Sequence, residues 1–285
     1  MSASREKGAF PAVTLWTLVS FLLGVFSGFL GTLVGVGGAF LVVPVLMWVY
    51  HFTPMQAAGT SLFAVFLNGL SGSVTYLRQH RVEVKAGLLM AIATLPGSVV
   101  GAFIVRRVDA HLFAILFGIL QLSIAVYMVW RQRHPPAASG ADKEHTPPTH
   151  WFQVGHTVAF QGTTHWFSYD LRWPMVIGLG IGFISSLFGI GGGVINVPVL
   201  AGLVGLPMHF ATATSTFILA INSFFGLGTH LALGHVVWRT AIPLGIGMIG
   251  GAQLGAALST RLSGAWITWI FAGLLMALGI REFIP

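Results

Sequence analysis

The chain has 285 residues, of which 55% are hydrophobic and only 7% are charged. Several apolar stretches exceed the roughly 20 residues that span a bilayer, which predicts a polytopic membrane protein and excludes a soluble globular domain. The net charge of +7 comes from Lys and Arg residues scattered over short connections, so there is no basic patch for a nucleic-acid partner. Cysteine is absent, which excludes disulfides, thiolate catalysis and Cys-ligated metals within the chain.

The chain begins with a short basic tail, residues 1–11, and continues as one apolar stretch over 12–50. That stretch is about twice as long as one membrane crossing needs. It is interrupted by Gly35-Val36-Gly37-Gly38, and Pro44 follows. Basic residues before an apolar run also occur in signal sequences, but no small-residue cleavage site follows here, so we interpret the run as the first membrane segment.

Three further apolar stretches predict helices over 57–77, 86–105 and 110–130, and a polar linker follows over 131–173. Prolines dominate the first half of the linker, and the second half is aromatic and suits an interface. Five of the eleven histidines fall in the linker: His134, His145, His150, His156 and His165. Because neither cysteine nor a tight histidine pair supports a zinc site, we predict an exposed loop and no bound metal.

The second half of the chain repeats the first at an offset of 154 residues. The glycine cluster recurs as Gly189-Ile190-Gly191-Gly192-Gly193, and Pro44 recurs as Pro198. Such matches extend over about a hundred residues, which indicates two homologous repeats, 12–130 and 174–285, joined by the linker. We therefore predict an all-α fold of about eight hydrophobic segments, in which the first helix of each repeat is broken at a Gly-rich turn.

The membrane topology has two alternatives. If each broken stretch crosses once, eleven of the 14 Lys and Arg residues lie on one side and Arg106, Arg107 and Arg261 on the other. This division satisfies the positive-inside rule. If each stretch doubles back as a re-entrant hairpin, the repeats are inverted and the division becomes eight to six. Charge favours the first alternative and segment length favours the second.

The glycine clusters do not match nucleotide-binding motifs. A dinucleotide fingerprint would need glycine at the positions of Phe40 and Val194, and no Lys-Ser or Lys-Thr of a Walker motif follows. A half-helix that begins after the glycines has unpaired N–H groups and a positive dipole end, so it can bind a small oxyanion. Spaced glycine pairs such as Gly24 and Gly28 instead indicate close helix packing.

Polar side chains recur at equivalent places on the next helix of each repeat: Thr60, Ser61, Asn68, Thr214, Ser215 and Asn222. They can complete the coordination of an anion, and they can equally form interhelical hydrogen bonds. All seven acidic residues lie at termini, connections or the linker. No carboxylate therefore marks a cation path or a proton relay inside a predicted span. His80, His230 and His235 lie near helix ends, a pattern typical of interface histidines; a proton-relay role is the less favoured alternative.

At these residues the chain resembles the TauE/SafE family, also called the sulfite exporter or DUF81 family. The matching residues are the duplicated stretches 28–38 and 182–193, the prolines that follow them, and the segments 58–61 and 212–215. The resemblance covers nearly everything except the tail and the linker. It implies a transporter in the cell membrane, the inner membrane of a bacterium, that exports small sulfur-containing anions such as sulfite or the organosulfonate sulfoacetate.

The sequence thus predicts a multi-pass transporter without a cofactor, which binds its anion between two helix breaks and exposes it alternately to each side. Coupling to a proton or to sodium is open. The rival functions are a passive anion channel and a membrane-embedded metal-dependent enzyme or sensor. The candidate binding residues are Gly35, Gly37, Gly38, Thr60, Ser61, Asn68, Gly189, Gly191, Gly192, Gly193, Thr214, Ser215 and Asn222.

Overall fold

The computed structural model describes residues 9–133, 153–160, 163–170, 172–259 and 264–283. Helices dominate this part of the chain, and a short 3-10 turn, Val105–Arg107, follows the fourth helix. The helices are α1 Ala9–Val34, α2 Ala39–Trp48, α3 Pro54–Arg78, α4 Val84–Ile104, α5 Ala110–Arg133, α6 Arg172–Phe188, α7 Gly193–Gly202, α8 Met208–Ala232, α9 Trp238–Leu258 and α10 Gly264–Arg281.

Among these helices, six are long and apolar enough to cross a bilayer: α1, α3, α4 with its 3-10 turn, α5, α8 and α9. The shorter apolar helices are α2, α6, α7 and α10. Many large apolar side chains on the long helices face outward, as lipid contact requires. The protein is therefore a multi-pass membrane protein, and the all-α prediction holds for its membrane part.

The second half of the linker differs from the predicted exposed loop and from the all-α class. Strands β1, Gln153–Phe160, and β2, Thr163–Asp170, form an antiparallel hairpin in which Gln153 pairs with Asp170. Threonine, valine and aromatic residues favour strands, and this explains the hairpin. Backbone positions 156 and 165 lie in the strands, whereas His134, His145, His150 and the tail residues 1–8 lie outside the described residues.

Glycines set the direction of α1 against α9. A Cβ atom at Gly24 would lie 2.2 Å from the carbonyl oxygen of Leu244, and one at Gly28 would lie 2.7 Å from that of Met248. Residue numbers rise together along this contact, so the two helices are parallel. The predicted close packing at Gly24 and Gly28 is confirmed. Helices α4 and α6 pack in the same parallel way, with Gly97 against Leu179 and Gly101 against Phe183.

Contacts of α3 fix the remaining directions. Gly69 packs on Ala220 and Gly226 packs on Leu62, so α3 and α8 are antiparallel. The hydroxyl of Ser71 donates to the Ile249 carbonyl at 3.1 Å and that of Thr75 to Gln253 Oε1 at 2.8 Å, so α3 and α9 are parallel. Helices α1, α3 and α9 therefore share one direction, whereas α8 runs the opposite way.

Because α1 and α3 run in the same direction, the short helix α2 between them must return toward the start of α1. The side chains confirm this hairpin. The hydroxyls of Ser20 and Tyr50 lie 2.7 Å apart, and the rings of Trp16 and Tyr50 meet at 5.2 Å. The first broken stretch thus enters and leaves at the same end of the bundle.

Inside α2, Pro44 lacks the N–H that would bond to the carbonyl of Phe40 one turn earlier. Gln121 on α5 replaces it, since its Nε2 donates to the Phe40 carbonyl at 2.9 Å. The Phe40 ring stacks on Phe117 at 5.6 Å, and Phe117 in turn contacts Phe188 on α6. Helix α2 is therefore held in the protein core, where its broken backbone is shielded from lipid.

Helix α4 is parallel to α8, because Gly87 packs on Phe217 and Ser98 donates to Asn222 Oδ1 further along both helices. The helix directions therefore place Arg107 and Arg239 at one end of the bundle and Arg78 at the other. All three side chains are exposed, and the protein has no native cysteine. A membrane-impermeant maleimide added to intact cells should therefore either label both Arg107→Cys and Arg239→Cys and leave Arg78→Cys unlabelled, or label Arg78→Cys alone. A single crossing by each broken stretch would instead group Arg78→Cys with Arg239→Cys, and that pattern would overturn the hairpin.

Candidate functional site

Two helix breaks lie between α1 and α2 and between α6 and α7. Glycines at both breaks have positive φ angles, a conformation that L side chains rarely adopt. These angles are 81°, 86° and 79° at Gly35, Gly37 and Gly38, and 71°, 72° and 80° at Gly189, Gly191 and Gly192. The second break thus repeats the backbone path of the first, and Gly193 begins α7.

Helix α1 ends at the first break, where backbone N–H groups of the break bond to a carbonyl in the last turn of α1. The N–H groups of Val36 and Gly37 both donate to the Gly31 carbonyl, at 2.7 and 3.1 Å. Gly38 is then the N-cap residue of α2, and Gly192 is that of α7; neither has a side chain that can cap the helix. The first N–H groups of α2 and α7 have no partner within their own helices and form their positive ends.

The two breaks meet in the centre of the bundle. A Cβ atom at Gly193 would lie 2.6 Å from the Gly35 carbonyl oxygen. The Ser215 hydroxyl contacts both breaks, with the Gly35 carbonyl at 2.8 Å and the Gly193 carbonyl at 2.9 Å. In the equivalent contact, the Ser61 hydroxyl donates to the Gly189 carbonyl at 3.0 Å. Each serine therefore holds a break that belongs to the other half of the chain.

Two equivalent apolar side chains, Val65 on α3 and Leu219 on α8, cover the breaks. A Cβ atom at Gly37 would lie 2.4 Å from Leu219 Cδ1, and one at Gly191 would lie 2.5 Å from Val65 Cγ1. Both covering side chains are fully buried. The centre is therefore closed in this conformation, and a Cβ atom at either glycine would overlap a covering side chain in a backbone conformation that L residues rarely adopt.

Not every predicted binding residue lies at a break. Thr60 Oγ1 accepts from the Val237 N–H at 3.0 Å, and Thr214 Oγ1 accepts from the Glu83 N–H at 2.9 Å. These hydroxyls therefore anchor the starts of α9 and α4. The two contacts are equivalent in the two halves. Each threonine therefore stabilises the start of a long helix in the other half and does not face a break.

The two predicted asparagines have different surroundings. Asn222 Nδ2 donates to Ser185 Oγ at 2.8 Å and to the Gly191 carbonyl at 3.3 Å, and its Oδ1 accepts from Ser98. Asn68 Oδ1 accepts from the Thr32 hydroxyl at 3.1 Å. The Nδ2 donor of Asn68 is buried and has no hydrogen-bond partner among the described residues.

Further buried polar groups lie beside the breaks and were not predicted from the sequence. The hydroxyls of Ser27 and Ser223 and the amide of Asn196 have no hydrogen-bond partner within the described part of the chain. Ser27 packs on Gly38, and a Cβ atom at Gly191 would lie 2.7 Å from Ser223 Oγ. The signal available in the sequence was a polar residue close to a glycine cluster within an apolar run.

A membrane-embedded helical bundle in which two broken helices meet at a buried polar centre has the architecture of a transporter. The chain belongs to the sulfite exporter TauE/SafE family, whose model matches residues 20–282. The predicted family is thus confirmed, and the family and the names of its relatives point to a membrane transporter.

Several curated relatives cover nearly the whole chain. The probable membrane transporter protein YunE of Bacillus subtilis is 32% identical over 271 residues, which are 93% of this chain and 96% of the relative. A probable membrane transporter protein of Methanocaldococcus jannaschii is 27% identical over 91% of this chain and 92% of its own. No solved structure matches the chain.

Replacing Ser215 with alanine should lower the free energy of unfolding by roughly 1–2 kcal/mol, because the one hydroxyl proton that the two break carbonyls share is lost. Ser27→Ala should not lower it, since that hydroxyl has no partner to lose. Denaturant titration in detergent micelles measures both. Ser123→Ala is the control, because this hydroxyl is exposed and bonds only within its own helix. Equal effects of Ser215→Ala and Ser123→Ala would contradict the proposed hold on the breaks.

Proposed function

We propose that this protein transports a small sulfur-containing oxyanion, such as sulfite or the organosulfonate sulfoacetate, and that the anion binds between the two helix breaks. The observation that carries the proposal is a set of buried donors without acceptors: the hydroxyls of Ser27 and Ser223, which lie beside Gly38 and Gly191, and Asn68 Nδ2 on α3. Burying an unpaired polar group is costly. An oxyanion offers several acceptors to donors of this kind.

The electrostatic surroundings support an anion over a cation. The positive ends of α2 and α7 point toward the centre from their N-cap glycines. The acidic residues in the described part of the chain lie in connections, at strand ends or at the C-terminal end of α10, away from the breaks. An anion in the centre therefore meets amide and hydroxyl dipoles without repulsion from a carboxylate.

For the transport mechanism, we propose alternating access by two inverted repeats, each with a re-entrant hairpin. The support is that equivalent helices run in opposite directions: α3 is antiparallel to α8, and the parallel pair α1 and α9 corresponds to the parallel pair α6 and α4 at the offset of 154. Inverted repeats exchange conformations when a carrier rocks about a central site. Val65 and Leu219 must move apart in that step to admit the anion.

The substrate class and the export direction follow the family description, sulfite exporter, and the oxyanion chemistry of the centre. A passive anion channel would use the same donors, but it needs a continuous pore. The buried, side-chain-covered breaks favour a carrier. Transport rather than enzymatic chemistry is also the activity named for the relatives.

Purified protein in liposomes should take up labelled sulfite saturably, with competition by sulfoacetate and other small oxyanions. A carrier should also exchange internal for external anion against a gradient, because both movements use the same site. Flux that never saturates and never drives exchange would indicate a channel. If another anion is transported and sulfite is not, the substrate is reassigned. If no anion is transported, the proposal is overturned.

Variants test whether the breaks bind the anion. Gly37→Val and Gly191→Val should abolish uptake, because the added atoms overlap Leu219 or Val65 and the φ angles are strained. Gly250→Ala is the control, since nothing lies within 4 Å of a Cβ atom there. Membrane insertion of all three is measured in parallel, so that loss of uptake is not confused with loss of protein.

The gentler variants Ser27→Ala and Ser223→Ala remove only unpaired hydroxyls. Each should weaken anion affinity roughly tenfold to a hundredfold, because a hydrogen bond to a charged group contributes about 1.5–3 kcal/mol. Stability without the anion should not fall. Unchanged affinity in both variants would remove these donors from the site.

A further inference from the structure

Two buried histidines, His230 and His235, contact each other beside the last turn of α6, next to the second break. His235 Nδ1 lies 3.0 Å from His230 Nδ1, and His230 Nε2 lies 3.1 Å from the Ser186 carbonyl. His230 is fully buried, and His235 is only 6% exposed. His230 lies in the C-terminal part of α8, and His235 lies in the connection between α8 and α9. Neither is among the residues proposed to bind the anion.

The hydrogen-bond network assigns the protons in this pair. A carbonyl only accepts, so His230 must carry its proton on Nε2 and donate to Ser186. Its Nδ1 is then an acceptor, and His235 donates its Nδ1–H across the 3.0 Å contact. The basic atom left in the neutral pair is Nε2 of His235. An incoming proton therefore binds at that nitrogen and leaves the other contacts intact.

The pair is in direct reach of the second break. Ser186, which His230 contacts, lies in the last turn of α6, and the break begins three residues later at Gly189. On α3, Ala58 packs against Gly189 while its neighbour Gly59 packs against His235. Movement of the break thus moves both supports of the histidine pair.

The first half of the chain places different residue types at the equivalent positions, Tyr76 and Arg81. The Tyr76 hydroxyl donates to the Thr32 carbonyl at 2.9 Å, as His230 contacts Ser186. The Arg81 guanidinium lies 5.2 Å from the centre of the Tyr76 ring and is buried. One end of the bundle therefore has a permanent positive charge where the other end has a histidine that can gain or lose one.

The groups that face the pair are the Gly59 backbone from α3, the Ser186 carbonyl from α6 and the Arg106 guanidinium from the 3-10 turn after α4. Burial lowers the pKa of His235, and the positive charge of Arg106 lowers it further. The closed, anion-free pair is therefore neutral at pH 7. An anion nearby offsets Arg106 and raises the pKa of His235, so anion and proton each favour the binding of the other.

We propose that the His230–His235 pair is the proton-binding site that couples transport, taking up one proton at His235 Nε2 with each anion that enters through the second break. The proposal rests on the proposed function. It names the coupling ion as the proton and makes Arg81 the fixed-charge counterpart at the opposite end. A divalent anion that leaves with one proton still carries one negative charge outward, so an inside-negative membrane potential drives export.

Proton uptake can be measured without transport. Sulfoacetate, whose sulfonate and carboxylate both stay ionised near neutral pH, is added to detergent-solubilised protein in weak buffer with a pH indicator, and about one proton per bound anion should disappear from solution. Between the pKa of free His235 and its raised value in the complex, the anion Kd should increase up to about tenfold for each unit rise in pH. Outside that window the Kd should not depend on pH.

His235→Gln should abolish proton uptake and the pH dependence while leaving anion binding at high pH. His235→Arg places in the second half the charge that Arg81 supplies in the first; it should bind the anion tightly at all pH values without taking up a proton. His235→Arg also tests the proposal if the glutamine variant does not fold, because it too removes the nitrogen that takes up the proton.

Two controls separate the pair from other titrating groups. His111 is an exposed histidine on α5, and His111→Gln should change nothing. Glu282, after the end of α10, is buried, which raises its pKa to about 7, so Glu282→Gln must retain the proton uptake. In liposomes, an imposed proton gradient should drive anion accumulation by the wild type and by both controls, but not by His235→Gln.

The outcomes distinguish the two proposals. Absence of anion binding by the wild type overturns the proposed function. Anion binding without proton uptake, or proton uptake that survives in His235→Gln, overturns only the coupling role of the pair. Loss of uptake in Glu282→Gln alone would transfer that role to the carboxyl group.

Discussion

The structure depends on satisfying backbone groups where two helices are broken in the interior of a membrane protein. Hydrocarbon supplies no hydrogen bonds, so each exposed carbonyl at such a break must find a partner inside the protein. The single hydroxyl proton of Ser215 is shared by the carbonyls of Gly35 and Gly193, and Ser61 donates to the carbonyl of Gly189. Each serine thus contacts a break in the other half of the chain, and Ser215 also contacts the break in its own half. The centre of the molecule is therefore also its main link between halves.

Close helix packing follows from this constraint. The hairpins must reach the centre, and the long helices that carry them must lie tightly against helices of the other half. Glycines along α1, α4, α6 and α9 allow the backbones to approach until a single Cβ atom would overlap a carbonyl. Rigid pairs of this kind can move as units, which is what rocking about a central site requires. Packing and mechanism thus use the same small residues.

Much of this architecture could be predicted from the sequence, because apolar length, glycine clusters and the offset of 154 are properties of the chain itself. The positions of the breaks followed directly. What could not be predicted depends on contacts between distant residues: that Ser61 holds Gly189, or that Thr60 caps α9 instead of lining the centre. The equivalent roles of Tyr76 and His230 could not be predicted either, because the residue types differ and only their contacts with the equivalent carbonyls of Thr32 and Ser186 relate them. The β-hairpin of the linker was not predicted, because the prolines in the first half of the linker and the polar residues throughout it are typical of loops.

The differences between equivalent positions carry as much information as the matches. A carrier made of two identical inverted halves would have inward-open and outward-open conformations of equal energy, and no preferred side. Here Asn196 stands where the first half has Val42, Ser185 stands where it has Gly31, and His235 replaces Arg81. The second half therefore gives its break more hydrogen-bonding groups and a charge that depends on pH. In the proposed mechanism, these substitutions give the carrier a single titratable group, so that proton and anion bind together and the two gradients are coupled.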